Sequence, residues 1–180
     1  MTTPYVDPQT VHNPSTGSSP PAAWGDTVRN GLEYAVRTPG CVLRRLDNQA
    51  LAVATFTAVI FDESPDLRDT DNFHSTVTNP SRVTIPAGLG GWYRLTGWIF
   101  YDTTALTGSR ILAFKVNGTL ALYQMVLAQA NPSYGSSVNG SWVVELQAGD
   151  YVELMAHSNS GTGVLVPVDS AGFEVSLAYL

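Results

Sequence analysis

The segment Arg110-Ile-Leu-Ala-Phe-Lys-Val116, then Asn117-Gly118, then Thr119-Leu-Ala-Leu-Tyr-Gln-Met-Val-Leu127 leaves the chain little local choice. Asn-Gly accepts the positive φ that both central positions of a type I′ turn require, so two antiparallel strands are predicted around it. A lone hairpin is at best marginally stable in water, so the rest of the chain has to supply a sheet and a core.

It does so from Cys41 onward. "LAVATFTAVIF" (51–61) is β-branched and almost continuously apolar, which predicts one strand. "WYRLTGWIFYD" (92–102) alternates, with Tyr93, Leu95, Ile99 and Tyr101 on one face and Trp92, Arg94, Thr96, Trp98 and Phe100 on the other. "SWVVELQ" and "YVELMAHS", joined by Ala148-Gly149-Asp150, predict a second hairpin with a longer turn. "FEVSLAYL" sets Phe173, Val175, Leu177 and Tyr179 on one face. With strands near 73–78 and 81–85 this makes about eight to ten short strands, the pattern of a sandwich or jelly roll. The 16 Gly and 11 Pro suit that many turns.

The front of the chain is different. Pro4, Pro8, Pro14, Pro20 and Pro21 predict an extended arm with no core of its own. Trp24, Val28, Leu32 and Ala35 or Val36 then recur at helical spacing, predicting a short amphipathic helix over 24–37. Gly31 inside it costs about 1 kcal/mol, so the helix needs a partner surface. The expected division is an arm and docking helix over 1–40 and a head domain over 41–180.

The formal charge of −6 falls wholly on residues 49–180, where eleven acids face five bases. Such a domain repels phosphate, so nucleic acid is not an expected partner. The single Cys41 excludes an intrachain disulfide framework and a cysteine zinc site. No apolar run approaches the ~18 residues of a membrane-spanning helix, and no secretory signal is expected. Asn117 and Asn139 each begin an Asn-Gly-Ser/Thr sequence, and both are expected to lie in turns.

The motifs of 50–180 fall in an order that resembles the jelly-roll domain of C1q and tumour-necrosis-factor-like proteins. Pro86-Ala-Gly-Leu-Gly-Gly-Trp-Tyr93-Arg-Leu95 is similar to that family's P-G-x-Y-x-F strand, with extra residues before the tyrosine. Ala148-Gly-Asp-Tyr-Val-Glu-Leu154 resembles its G-D-x-V-x-L turn and strand. Gly172-Phe-Glu-Val-Ser-Leu177 resembles its closing strand, without the second aromatic. The arm, the Trp24-Gly-Asp-Thr-Val-Arg29 helix and the run from Phe61 to Pro86 resemble small structural proteins of tailed bacteriophages. That resemblance implies a homotrimeric virion protein of the tail or capsid surface: a minor tail protein, or a capsid decoration or head fibre. Residues 1–40 would join other virion proteins through Trp24, Val28 and Leu32, and the head would serve host attachment.

The residues support self-association in their own right. Trp92, Trp98 and Phe100 make a second apolar face opposite Tyr93 and Leu95, and Phe114 opposes Ile111 and Ala113 in the same way. Monomers rarely expose large apolar patches, so Trp92, Trp98, Phe100 and Phe114 are the expected contacts between copies, unless loops or the arm cover them.

Asp62, Glu63, Asp66, Asp69 and Asp71, followed by His74, form an acidic run between two strands. Its first reading is a solvated loop that keeps a strand edge from pairing. Clustered carboxylates also suit a hard cation, which makes calcium at Asp62, Asp66, Asp69 and Asp71 the metal alternative, although the spacing is not that of an EF-hand. No other metal or cofactor is expected. The sequence carries no G-x-S-x-G elbow, P-loop, H-E-x-x-H or dinucleotide fingerprint, and no enzymatic activity is expected. Tyr101, Tyr123, Tyr134, Tyr151 and Trp142 near strand ends suggest the competing class, a free-standing carbohydrate-binding module, with a host-surface glycan as its ligand. Such aromatics are more often core or interface residues.

Overall fold

The computed structural model describes residues 38–103, 107–121, 125–131, 133–160, 164–166 and 169–179. The arm, the helix over 24–37 with Trp24, Val28 and Leu32, and Tyr123 lie outside the described residues. Among those described there are thirteen strands and no helix.

The alternation in β6 (Gly91–Tyr101) organises the first sheet. Its neighbours are β10 (Ser136–Leu146) on one side and β13 (Ala171–Tyr179) on the other. The sheet continues through β1 (Gly40–Arg44) to the short β4 (Arg68–Asp69), giving the order β10-β6-β13-β1-β4. The second sheet is built on β7 (Ser109–Val116) and β11 (Tyr151–Ser158). β3 (Thr57–Ala58) and β5 (Arg82–Thr84) pair with successive stretches of β11, while β8 (Thr119–Leu120) and β9 (Val126–Gln129) pair with successive stretches of β7. β2 (Gln49–Leu51) and β12 (Val164–Val166) form a separate ribbon. Every pairing is antiparallel, and the two larger sheets stack as a sandwich.

Tyr93, Leu95, Ile99 and Tyr101 point inward from β6, as the alternation predicts, and are fully buried. Leu112 and Phe114 of β7 and Leu154 and Ala156 of β11 meet them from the second sheet. Gly97 sits between Leu95 and Ile99 because a β-carbon there would overlap the Leu154 side chain. A ladder of rings crosses the core: Phe61 to Phe173 at 6.0 Å, Phe173 to Phe114 at 6.0 Å, and Phe114 to Trp142 at 6.4 Å.

The Asn117-Gly118 turn forms as expected, with φ of 48° and 83°. Its side chain does more than turn the chain. Asn117 Oδ1 accepts from the Tyr151 amide at 2.9 Å and Nδ2 donates to Asp150 at 2.7 Å, which ties the turn to the start of β11.

Several expectations are corrected. Residues 51–61 are not one strand: β2 and β3 belong to different sheets, and Ala54 turns the chain between them at φ 51°. The expected strand at 73–78 is reduced to a single bridge from His74 to Val83. The segments around Ala148-Gly149-Asp150 are not a hairpin, since β10 pairs with β6 and β11 with β7. The turn is an arch between sheets, held on the end of β5 by hydrogen bonds from Gly149 to Ile85 and from Ile85 to Asp150. The apolar faces of both strands then point at one another across the core instead of lying side by side. Asn139-Gly140 is not a turn but the middle of β10, where a β-carbon on Gly140 would crowd Val126. A bulge between Leu177 and Tyr179 puts Tyr179 on the outer face, opposite to the side predicted.

Cys41 is completely buried on β1, and its burial, helped by Asp69 and Asp66, pushes the thiol well above its ordinary range. The raised value means that folding favours the thiol over the thiolate, so stability is lost as pH rises beyond the ordinary thiol range. Alkylation of the native protein is expected to proceed only as fast as the structure opens over Cys41, and to match a free thiol once the chain is unfolded in urea. A native rate equal to that of the unfolded chain would contradict this burial.

Candidate self-association face

The outer face of the five-stranded sheet carries the residues that the core does not use. Trp92, Arg94, Thr96, Trp98 and Phe100 alternate outward along β6, flanked by Asn139, Ser141, Val143 and Glu145 of β10 and by Gly172, Glu174 and Ser176 of β13. Trp92 is 36% exposed and Trp98 37% exposed, large fractions for tryptophan in the middle of a sheet.

Local structure sets how each ring lies. Trp98 is opposite Gly172, where any β-carbon would overlap its six-membered ring, so the indole rests flat on the β13 backbone. Trp92 stacks on Tyr179, centroids 5.6 Å apart and planes 23° apart, a pair made possible by the bulge in β13. Phe100 is half-buried over Gly135, whose φ of 73° and lack of a β-carbon let the preceding turn pass beneath the ring. Between the two aromatic ends lies a polar band of Arg94, Thr96, Ser141 and Glu174, with the Thr96 and Ser141 hydroxyls 3.4 Å apart.

Phe114 does not belong to this face. It is fully buried between Phe173 and Trp142, because β7 turns Leu112 and Phe114 toward the core, and it is unavailable to a second copy. Tyr179, absent from the expected contacts, belongs to the face. Its single signal in the sequence would have been the broken register at Leu177, which needs the neighbouring strand to be seen.

The acidic run is folded into a strap whose ends meet, the Phe61 amide donating to the Pro80 carbonyl at 2.9 Å. Its carboxylates go to separate partners. Asp62 accepts from the Leu46 and Asp47 amides, and Glu63 takes the Arg44 guanidinium at 2.6 and 3.1 Å. Asp69 accepts from the Phe73 and His74 amides, and Asp71 from the Thr70 hydroxyl. Asp66 faces His74. Asp62, Asp66, Asp69 and Asp71 are therefore not brought to one centre, and among the described residues no group of three or more His, Cys, Asp or Glu side chains is placed to hold a metal. Asp66, Asp69 and His74 do share one open polar hollow of about 320 Å³.

The aromatic residues considered for sugar binding are scattered. Tyr101 is in the core with its hydroxyl on the Ile111 carbonyl, Trp142 packs on Phe114, and Tyr151 lies under the Arg82 guanidinium at 4.1 Å. Tyr134, on the turn before β10, is 81% exposed.

No family model matches the sequence, and no curated protein matches it. Solved structures do match. The globular domain of zebrafish complement 1qA protein aligns at 17% identity and a TM-score of 0.55, over 79% of this chain and 98% of that one. PRD1 vertex protein P5 aligns at 14% identity and 0.55 over the same shares, and murine APRIL at 14% and 0.51 over 77% and 99%. At these identities the likeness is one of fold, and the fold is a C1q/TNF-like jelly roll.

Proposed function

We propose that this chain is a structural component of a tailed phage particle, with a jelly-roll head that assembles as a homotrimer. The observation that carries the proposal is the outer face of β6. Trp92 stacked on Tyr179 at one end and Trp98 beside the half-buried Phe100 at the other leave aromatic area on either side of a polar band, more than a lone domain has reason to keep uncovered. The likeness to PRD1 vertex protein P5 supports a place on a particle. The resemblance of residues 1–40 and 61–86 to phage structural proteins supports a tailed phage, with the arm joining other virion proteins and the head meeting the host. The role is structural and not catalytic.

Light scattering on the purified protein is the test, with an expected mass of three chains at micromolar concentration. Deleting residues 1–40 is expected to leave that mass intact, at three shortened chains, and to abolish incorporation into particles. A monomeric full-length protein would overturn the trimer, and normal incorporation of the shortened chain would overturn the docking role. A carbohydrate-binding module is the second reading, favoured by the fully presented Tyr134. Binding on a glycan array that is lost in Tyr134→Ala would support it.

A further inference from the structure

The side chain of His74 has no exposure to solvent, yet both of its ring nitrogens face acceptors. Nδ1 lies 3.0 Å from each oxygen of Asp66, and Nε2 lies 3.1 Å from the Pro80 carbonyl. A carbonyl cannot donate, so Nε2 must carry a proton. The contact between Nδ1 and the carboxylate needs a second proton, on the nitrogen or on the acid. With only one proton, a bare nitrogen lone pair on the buried His74 ring would face a carboxylate, which is costly.

We propose that Asp66 and His74 form a two-proton clasp that locks the 61–80 strap across the open side of the sandwich, and that loss of one proton with rising pH releases it. The strap spans both sheets. Its β4 pairs with β1, while His74 bridges to Val83 of β5, and Phe73 accepts from the Thr84 amide. The Pro80 carbonyl that receives His74 Nε2 also receives the Phe61 amide, so the clasp holds the base of the strap. The Phe61 ring meets the imidazole edge-on at 6.3 Å, coupling the clasp to the ring ladder.

Burial acts most strongly on Asp66 and disfavours its negative charge, the His74 contact pulls the other way, and Asp69 and Glu63 add to the effect of burial, while Glu63 is itself held by Arg44. Cys41, paired with Asp69 across β1 and β4, feels Asp66, Asp69 and Arg68. Burial raises the Asp66 carboxyl above its ordinary range. The folded state thus holds this proton more tightly than the unfolded chain, and rising pH works against the closed clasp.

Asp66→Asn separates the clasp from other alkaline effects. An asparagine amide can donate to a bare Nδ1 while Nε2–H still serves Pro80, so a neutral histidine satisfies every partner. The experiment follows alkylation of Cys41 against pH, each rate divided by that of the same cysteine in the urea-unfolded chain. In the wild type the normalised rate is expected to rise about tenfold, equivalent to ~1.4 kcal/mol, as pH rises from the ordinary carboxyl range through the raised range of Asp66. In Asp66→Asn it is expected to stay flat. A flat wild-type profile would overturn the clasp, as would an equal rise in the variant, which would assign the effect to the Cys41 thiol. Hydrogen exchange of the Phe61 amide, which the Pro80 carbonyl holds at the base of the strap, gives an independent reading and needs no variant to fold. Its protection is expected to fall over the same pH range as the rise in labelling, and protection unchanged across that range would overturn the proposal.

Discussion

Replacing Phe173 with alanine is expected to cost the fold about 3–5 kcal/mol, the range for deleting a large aromatic from a packed core. The ring is fully buried and has a neighbour 6.0 Å away on each side. Those neighbours come from different parts of the molecule: Phe114 from the second sheet and Phe61 from the base of the strap. The substitution therefore removes a contact between sheets and a contact to the strap together, and leaves a hole that extended strands on both sides cannot readily close. Against a total stability of about 5–15 kcal/mol this is a large share. Thermal unfolding is expected to move down by about 10–20 °C, while Phe173→Leu retains much of the loss. A shift of only a few degrees for Phe173→Ala would mean that the ladder does not hold the two sheets together.

Replacing Trp98 with aspartate is expected to convert the proposed trimer to folded monomers. The ring lies on the outer face over Gly172 and contributes nothing to the inner core, so the single chain loses little beyond that contact. In an assembly the same change places a buried carboxylate in every copy, and central aromatic anchors are worth about 2 kcal/mol or more each. Light scattering is expected to report one chain mass where the wild type reports three. The melting temperature of the wild type should rise with concentration and that of the variant should not, because association stabilises by mass action. Val77→Asp is the control, since Val77 is 88% exposed on the strap and should leave the mass unchanged. A variant that keeps three chain masses would move the interface away from this sheet.

The same residues show where local reading ends. The β6 alternation and the Asn117-Gly118 turn were legible because each is decided within a few neighbouring residues. Period-two patterning assigns the faces of a strand, and Asn-Gly accepts the backbone angles of its turn. The second turn was not legible. Ala148-Gly149-Asp150 bends the chain equally well for a hairpin or for an arch between sheets, and the choice depends on β5 and β6, which lie more than forty residues away in sequence at Gly91–Tyr101 and farther still at Arg82–Thr84. Phe114 was misplaced for a related reason. On β7 both faces look apolar, and which one is the inner face follows from its register with β11.

The sequence alone determined that the chain from Cys41 onward is built of short strands, which face of β6 is buried, and that aromatic residues are left over on its other face. These follow from side-chain period and turn chemistry, which act over a few bonds. Tertiary structure alone decided that five clustered carboxylates are distributed among separate partners, that Trp98 rests on Gly172, and that Asp66 meets His74 with no water between them. Those outcomes depend on which distant backbone groups are brought within hydrogen-bond range. Charge and spacing along a chain carry no record of that.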